Sequence, residues 1–148
     1  MKKLVIITCL LFGVFSAGIS QLSFAAGSQL ILNGSIFGVQ GKAIYDINEL
    51  WAGAGSFTLH LENSIDYTID LDAHYKAIEI GDGFDLSPVG GLSISSRKVN
   101  GDGDSDIGIN LGAFISFTAS ESINVYIEPK LKIADIGEGL TISGGILF

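Results

Sequence analysis

Two histidines and two aspartates form the group of side chains best suited to chemistry in this sequence. Asp70, Asp72 and His74 occupy alternate positions, and His60 lies on the preceding segment. A His–Asp pair can act as a general base, and a cluster of such side chains can hold a metal ion. No nucleophile motif and no metal-ligand spacing accompanies them. We therefore expect ion pairs inside the protein, with no catalytic residue, no metal and no cofactor.

A second acidic group, Asp102, Asp104 and Asp106, recurs at alternate positions in a glycine-rich segment, like the start of a calcium-binding loop. Such a loop needs a glycine at its sixth position and an acidic residue at its twelfth. Those positions hold Ile107 and Ala113. The pattern therefore favours a solvated acidic turn, the longest polar loop of the chain. A weak contact with a divalent ion is the alternative.

The segments that carry these residues alternate between apolar and polar side chains. Ile69 and Leu71 alternate with Thr68 and Asp70, for example. Because successive side chains of a strand point to opposite faces, this alternation predicts strands with one apolar face. The sequence predicts eight antiparallel strands joined by short turns, over residues 29–32, 35–45, 52–61, 65–80, 86–99, 107–117, 123–133 and 140–148. Between the first two, Asn33–Gly34 is a favoured two-residue hairpin turn. The expected fold is an all-β, up-and-down β-barrel.

One residue conflicts with a closed barrel, in which every strand is paired on both sides. Pro129 lies inside a predicted strand and has no N–H to donate. It indicates either a bulge or the seam of an incomplete barrel.

The first residues have the pattern of a secretory signal peptide. Lys2 and Lys3 precede an apolar run, and small residues around Ala25 and Ala26 indicate the cleavage region. We expect a signal peptide over residues 1–26 and a single barrel domain over residues 27–148. The only cysteine is Cys9, so the exported chain is expected to carry no thiol. The net charge of −8 and the lack of basic patches argue against nucleic-acid binding.

The last nine residues alternate and end on an aromatic side chain. Leu140, Ile142, Ile146 and Phe148 share the apolar face. This segment resembles the closing strand of bacterial outer-membrane β-barrels, and the whole chain after the leader resembles the small eight-stranded families of the OmpX, OmpA-domain and YfaZ types. The resemblance implies a transmembrane barrel in a Gram-negative outer membrane. It also implies a structural role in the envelope, lipid contacts, and a terminal strand that the barrel-assembly machinery reads.

In such a barrel the polar face points into a lumen just wide enough for side chains. We expect paired charges to fill it, because an unpaired dry charge is costly. The predicted lumen network consists of Asp66, Asp70, Asp72, His74, Arg97, Glu128, Lys130 and Lys132. Two alternatives remain: a soluble exported barrel that binds an apolar ligand in its core, and a lipid-modifying enzyme that uses His60 with Ser56 or Ser64.

Overall fold

The computed structural model describes residues 21–62, 65–76, 78–79, 81, 83–99, 102–121 and 123–148. The described strands are β1 (Leu22–Ile31), β2 (Ile36–Asp46), β3 (Trp51–His60), β4 (Tyr67–Tyr75), β5 (Ile78–Glu79), β6 (Phe84–Val99), β7 (Asp102–Ser120), β8 (Ile123–Ile133) and β9 (Gly139–Leu147). Over these residues, no helix is long and apolar enough to span a membrane.

The eight long strands close into one antiparallel barrel. Each pairs with its neighbour along the chain, β4 pairs directly with β6, and β1 pairs with β9. The two-residue β5 adds only to β6. The predicted all-β, eight-stranded antiparallel fold is therefore confirmed.

The barrel has two different ends. At the hairpin end lie the connections β1–β2, β3–β4, β6–β7 and β8–β9. At the terminus end lie residues 21 and 148 and the other connections. The predicted turn at Asn33–Gly34 is present, with Gly34 at φ 123°, a backbone conformation that favours glycine.

Three predicted segments differ from the structure. The first strand begins at Leu22, inside the predicted signal peptide, because Leu22–Ile31 pairs continuously with β2. The strand predicted over 65–80 ends at Tyr75 and is followed by the short β5.

The third difference is the acidic segment, which is not a loop. Asp102, Asp104 and Asp106 belong to β7, and residues 102–106 pair with β6. The β6–β7 hairpin extends past the barrel wall, because β7 pairs with β8 only from Ile109 onward. Glycine and aspartate usually mark turns, but water on both faces of this ribbon lets polar residues continue the strand.

Pro129 interrupts one ladder without opening the barrel. It pairs with Ile142 of β9 in an unbroken register. On the other side the pairs with β7 stop at Gly112–Lys130 and resume at Ile115–Ile127 in the same register. The missing N–H thus interrupts the pairing with β7 only locally. The sequence predicted a bulge at Pro129 or an incomplete barrel, and the structure shows neither.

Burial alternates along the strands and separates an outer apolar surface from a polar interior. On β4, Thr68 and Asp70 are buried whereas Leu71 is 57% exposed. On β7, Asn110 is buried whereas Ile109 is 51% exposed. The predicted division of faces is therefore confirmed along these strands, where apolar side chains point outward and polar ones inward. An apolar group that includes Ile44, Ala52 and Phe114 is nevertheless buried inside the barrel.

Candidate functional site: the charge cluster inside the barrel

The centre of the interior is a buried lysine surrounded by carboxylates. Lys130 Nζ lies 2.8 Å from an oxygen of Asp72 and 3.1 Å from oxygens of both Asp70 and Glu128. The three acids come from β4 and β8, whose alternation turns these positions inward. Asn110 of β7 donates its side-chain N–H groups to Asp70 at 3.0 Å and to Asp72 at 3.1 Å.

A second lysine extends this group towards the terminus end. Lys42 Nζ donates to Glu128 and lies 5.5 Å from the ring centre of Phe114 and 5.3 Å from that of Tyr126. The Tyr126 hydroxyl donates to Gln40 at 3.1 Å. Two aromatic rings and a carboxylate therefore surround this buried ammonium group and stabilise its charge.

A polar chain continues towards the hairpin end. His60 Nε2 lies 3.0 Å from Thr68 Oγ1, which lies 3.1 Å from Ser95 Oγ. Lys132 donates to the same Ser95 hydroxyl. We call the buried ions Lys42, Asp70, Asp72, Glu128, Lys130 and Lys132 the charge cluster. Its three lysines offset its three carboxylates, so the formal charges of the cluster balance.

Five members of the charge cluster come from the predicted network, and four of them, Asp70, Asp72, Glu128 and Lys130, are in direct contact. The predicted His74 lies beside them, with Nε2 3.7 Å from Glu128. The fifth member from the predicted network, Lys132, is buried but contacts Ser95 rather than a carboxylate.

Arg97 and Asp66 are not part of this buried group. Arg97 pairs with Asp104 at 3.2 Å on the protruding hairpin, where both side chains are about half exposed. The prediction that Arg97 lies in the lumen is therefore wrong. Ser96 is the last residue of β6 that pairs with β4, so Arg97 lies beyond the wall. Asp66 lies at the same end and is only partly buried.

Asp106 has a structural role at the hairpin end. One of its carboxylate oxygens accepts hydrogen bonds from the backbone N–H groups of Asp135 at 2.6 Å and Ile136 at 3.2 Å. These bonds stabilise the ionised form and lower the pKa of Asp106, which lies outside the barrel wall. The carboxylate thus ties the β8–β9 connection to the protruding hairpin.

An isoleucine cap covers the interior at the hairpin end. We use this name for Ile31, Ile36, Ile65 and Ile136, which are all buried and in mutual contact. The cap lies next to Lys132, since Ile65, Ile31 and the Lys132 ammonium group all border Gly137.

The predicted assembly residues lie on the outer surface of β9 and just after it. Leu140, Ile142 and Ile146 are exposed, and Phe148 exchanges two backbone hydrogen bonds with Phe24 at 2.9 and 3.0 Å. These bonds extend the pairing of β1 with β9 to the last residue.

The arrangement does not create a serine–histidine pair at His60. Ser56 contacts Asp70 at 3.4 Å, whereas His60 contacts Thr68. The other predicted partner, Ser64, lies outside the described residues. Among the described residues, no three His, Cys, Asp or Glu side chains are arranged to hold a metal ion.

The predicted charge network omitted three residues that complete the cluster. Lys42, Asn110 and Tyr126 all contact its members, and the alternation places each on a polar face. The sequence could therefore have shown that each of these side chains points into the lumen, from the face of the strand on which it lies. A partner on a distant strand has no signal in the local sequence.

The comparisons with known proteins bear on the fold. No protein-family model matches the chain, and no curated protein matches it. The N-terminal β-barrel domain of Pseudomonas aeruginosa OprF matches with a TM-score of 0.71 and 16% identity, covering 86% of this chain and 96% of that chain. Ail, the attachment invasion locus protein of Yersinia pestis, matches with a TM-score of 0.49 and 19% identity, covering 86% and 97%. The likeness to OprF shows that the two chains share a closed β-barrel fold.

Proposed function

We propose that this protein is an outer-membrane β-barrel with a structural role in the bacterial envelope and a filled lumen. The observation that carries the proposal is the inverted distribution of polarity. Leu71, Leu92, Ile109, Leu111 and Leu131 are each about half exposed on the outer wall, while the charge cluster is buried inside. A soluble protein rarely exposes so large an apolar surface, whereas hydrocarbon solvates it well.

Strand length supports a membrane location. Six of the wall strands, β1–β4, β8 and β9, have 9 to 11 residues. At about 3.3 Å per residue and a tilt of about 45°, such strands cross roughly 21–26 Å. This matches the apolar band of an outer-membrane barrel, which is about 25 Å tall.

Aromatic side chains at both ends of the wall also support a membrane location. At the terminus end, the rings of Trp51 and Tyr75 are in tilted contact with centres 4.9 Å apart, and Phe84 pairs in register with Phe117. Phe37 and Tyr67 stand on the outer surface near the hairpin end. Aromatic rings favour the two interfaces of a bilayer, so these two groups mark its two surfaces. We place the terminus end in the periplasm, because outer-membrane barrels carry their longer connections outside and the β6–β7 hairpin protrudes at the hairpin end.

The filled interior supports a role other than that of a wide pore. Tyr126, Lys130 and Glu128 are almost wholly buried, and they span the middle of the barrel together with their partners. The isoleucine cap covers the hairpin end. We therefore propose contacts with membrane lipids and assembly by the barrel-assembly machinery, with no transport of sugar-sized solutes.

The polar interior also argues against the two alternatives. A soluble barrel that binds an apolar ligand needs an apolar inner face, and here the inner face carries Asp70, Lys130 and Glu128. A lipid-modifying enzyme that uses His60 needs a nucleophile that lipid can reach, whereas the hydroxyl beside His60 belongs to Thr68, which is buried inside the barrel. No observation favours either alternative over a structural barrel.

Cysteine labelling in lipid vesicles tests the membrane location. Single cysteines replace Leu71 and Ile109 on the outer wall, with inward-facing Thr68→Cys and Ser93→Cys as matched controls in a Cys9→Ser background. We expect a lipid-soluble maleimide to label the two outer positions, and a water-soluble maleimide to label none of them. The two inner positions should resist both probes while the barrel is folded.

The opposite pattern would contradict the proposal. Rapid labelling of positions 71 and 109 by the water-soluble probe would mean that the apolar wall faces water. Recovery of the wild-type protein in the soluble fraction, without detergent, would also count against a membrane barrel.

A further inference from the structure

A cavity of about 400 Å³ opens at the terminus end of the barrel, above the charge cluster. Its floor includes Ile44, Ala52 and Phe114, which are all buried. His74 also lines the floor, and its Nε2 has no hydrogen-bond partner within the described part of the chain. Part of the floor is therefore apolar and aromatic, beside the hydroxyl of the buried Ser87 and one unsatisfied polar atom.

The rim of this cavity is acidic. Asp46, Glu49 and Asp85 contribute three carboxylates, and Lys76 contributes one ammonium group. Lys76 pairs with Asp46 at 2.9 Å. Over the described residues, neither Glu49 nor Asp85 forms an ion pair, so two carboxylates remain available to a ligand. The electrostatic field at the opening therefore favours cations.

The two available carboxylates lie on different sides of the opening. Glu49 is in the connection between β2 and β3, and Asp85 is near the start of β6. Strand β4 stands between β3 and β6, so two interstrand steps separate them, about 10 Å along the rim. A ligand that pairs with both must be elongated and carry a positive charge at each end.

We propose that this cavity binds a linear diamine or polyamine. The alkyl chain lies against the apolar floor formed by Ile44, Ala52 and Phe114, and the terminal ammonium groups pair with Glu49 and Asp85. An inorganic cation would use the carboxylates alone and would leave the enclosed apolar volume unexplained. The proposal concerns the mouth of the barrel and does not depend on the membrane location.

Calorimetric titration of the folded full barrel, in a non-ionic detergent, tests this site. The probes are spermidine and cadaverine, and pentanediol serves as an uncharged analogue. We expect the two amines to bind, pentanediol not to bind, and added salt to weaken the amines. Each exposed carboxylate should contribute about threefold to affinity, so the Glu49→Gln/Asp85→Asn variant should bind about tenfold more weakly.

Asp104→Asn is the matched control, because it removes one carboxylate at the opposite end of the barrel. It should leave the affinity for spermidine unchanged. The proposal fails if the wild-type barrel binds neither amine, or if the double variant binds them as tightly as wild type. It also fails if Asp104→Asn weakens binding as much as the double variant does, since the amines would then respond only to total charge. None of these results would change the labelling pattern that tests the membrane barrel.

Discussion

Replacement of Lys130 by methionine tests whether the charge cluster holds the barrel together. Methionine has a similar length and no charge, so Lys130→Met removes the ammonium group with little change in packed volume. The substitution deprives Asp70, Asp72 and Glu128 of a cation within 3.1 Å. Lys42 still neutralises the charge of Glu128. Asp70 and Asp72 lose their cation, and the polar group that still contacts both of them is the Asn110 amide.

The expected cost follows from that geometry. Removing one member of a buried ion pair typically costs 3–5 kcal/mol, because the remaining charge stays buried without a partner. We therefore expect Lys130→Met to lower the free energy of unfolding by about 3–5 kcal/mol. The Lys130→Met/Asp72→Asn variant should recover part of this loss, since it removes one of the unpaired carboxylates.

Urea unfolding of the refolded barrel measures these differences. The fluorescence of Trp51, the single tryptophan, reports on the wall, and the gel mobility of unheated samples reports on the folded barrel. Lys76→Met is the matched control, because its pair with Asp46 is only partly buried. It should cost no more than about 1 kcal/mol. The reasoning would be refuted if Lys130→Met cost as little as this control, or if the double variant were the least stable of all.

Four further predictions concern the wall, the lumen and the start of the barrel. Gly91→Ala should destabilise the barrel by about 1–3 kcal/mol, because the new Cβ would collide with Asp72 and the backbone of Leu71. Gly41→Ala should change stability by less than about 1 kcal/mol, because its new Cβ would point into open space. Equal urea midpoints for the two variants would show that the inner wall has spare room. Ile109→Arg should cost roughly 2–4 kcal/mol in vesicles, because it places a charge against lipid, and an unchanged urea midpoint in vesicles would argue against lipid contact. Purified wild-type protein should show no steady conductance in planar bilayers, and a stable ion-selective current would make porin function the first hypothesis. Mass spectrometry of the exported protein should find an N-terminus at or before Leu22, because cleavage after Ala26 would remove half of a paired strand, and a mature chain starting at Gly27 would contradict this.

The sequence by itself determined the strands and their faces. Alternation between residues such as Thr68 and Leu71 is a local property, since each strand residue points away from its neighbour. Turn chemistry is local as well, and Asn33–Gly34 was therefore predicted correctly. From these two signals follow the strand number, the antiparallel order and the polar side to which Asp70, Glu128 and Lys130 belong.

Only the tertiary structure decided which polar residues meet. Lys42 and Glu128 are 86 positions apart, and Lys130 and Asp72 are 58 apart. Their contacts depend on barrel closure and on interstrand register, which no single strand encodes. Arg97 shows the same limit: its alternation is correct, but the length of the protruding hairpin takes it out of the lumen and pairs it with Asp104. The local pattern sets the direction in which a side chain points, and the closed ladder of strands sets its height in the barrel, and therefore its partner.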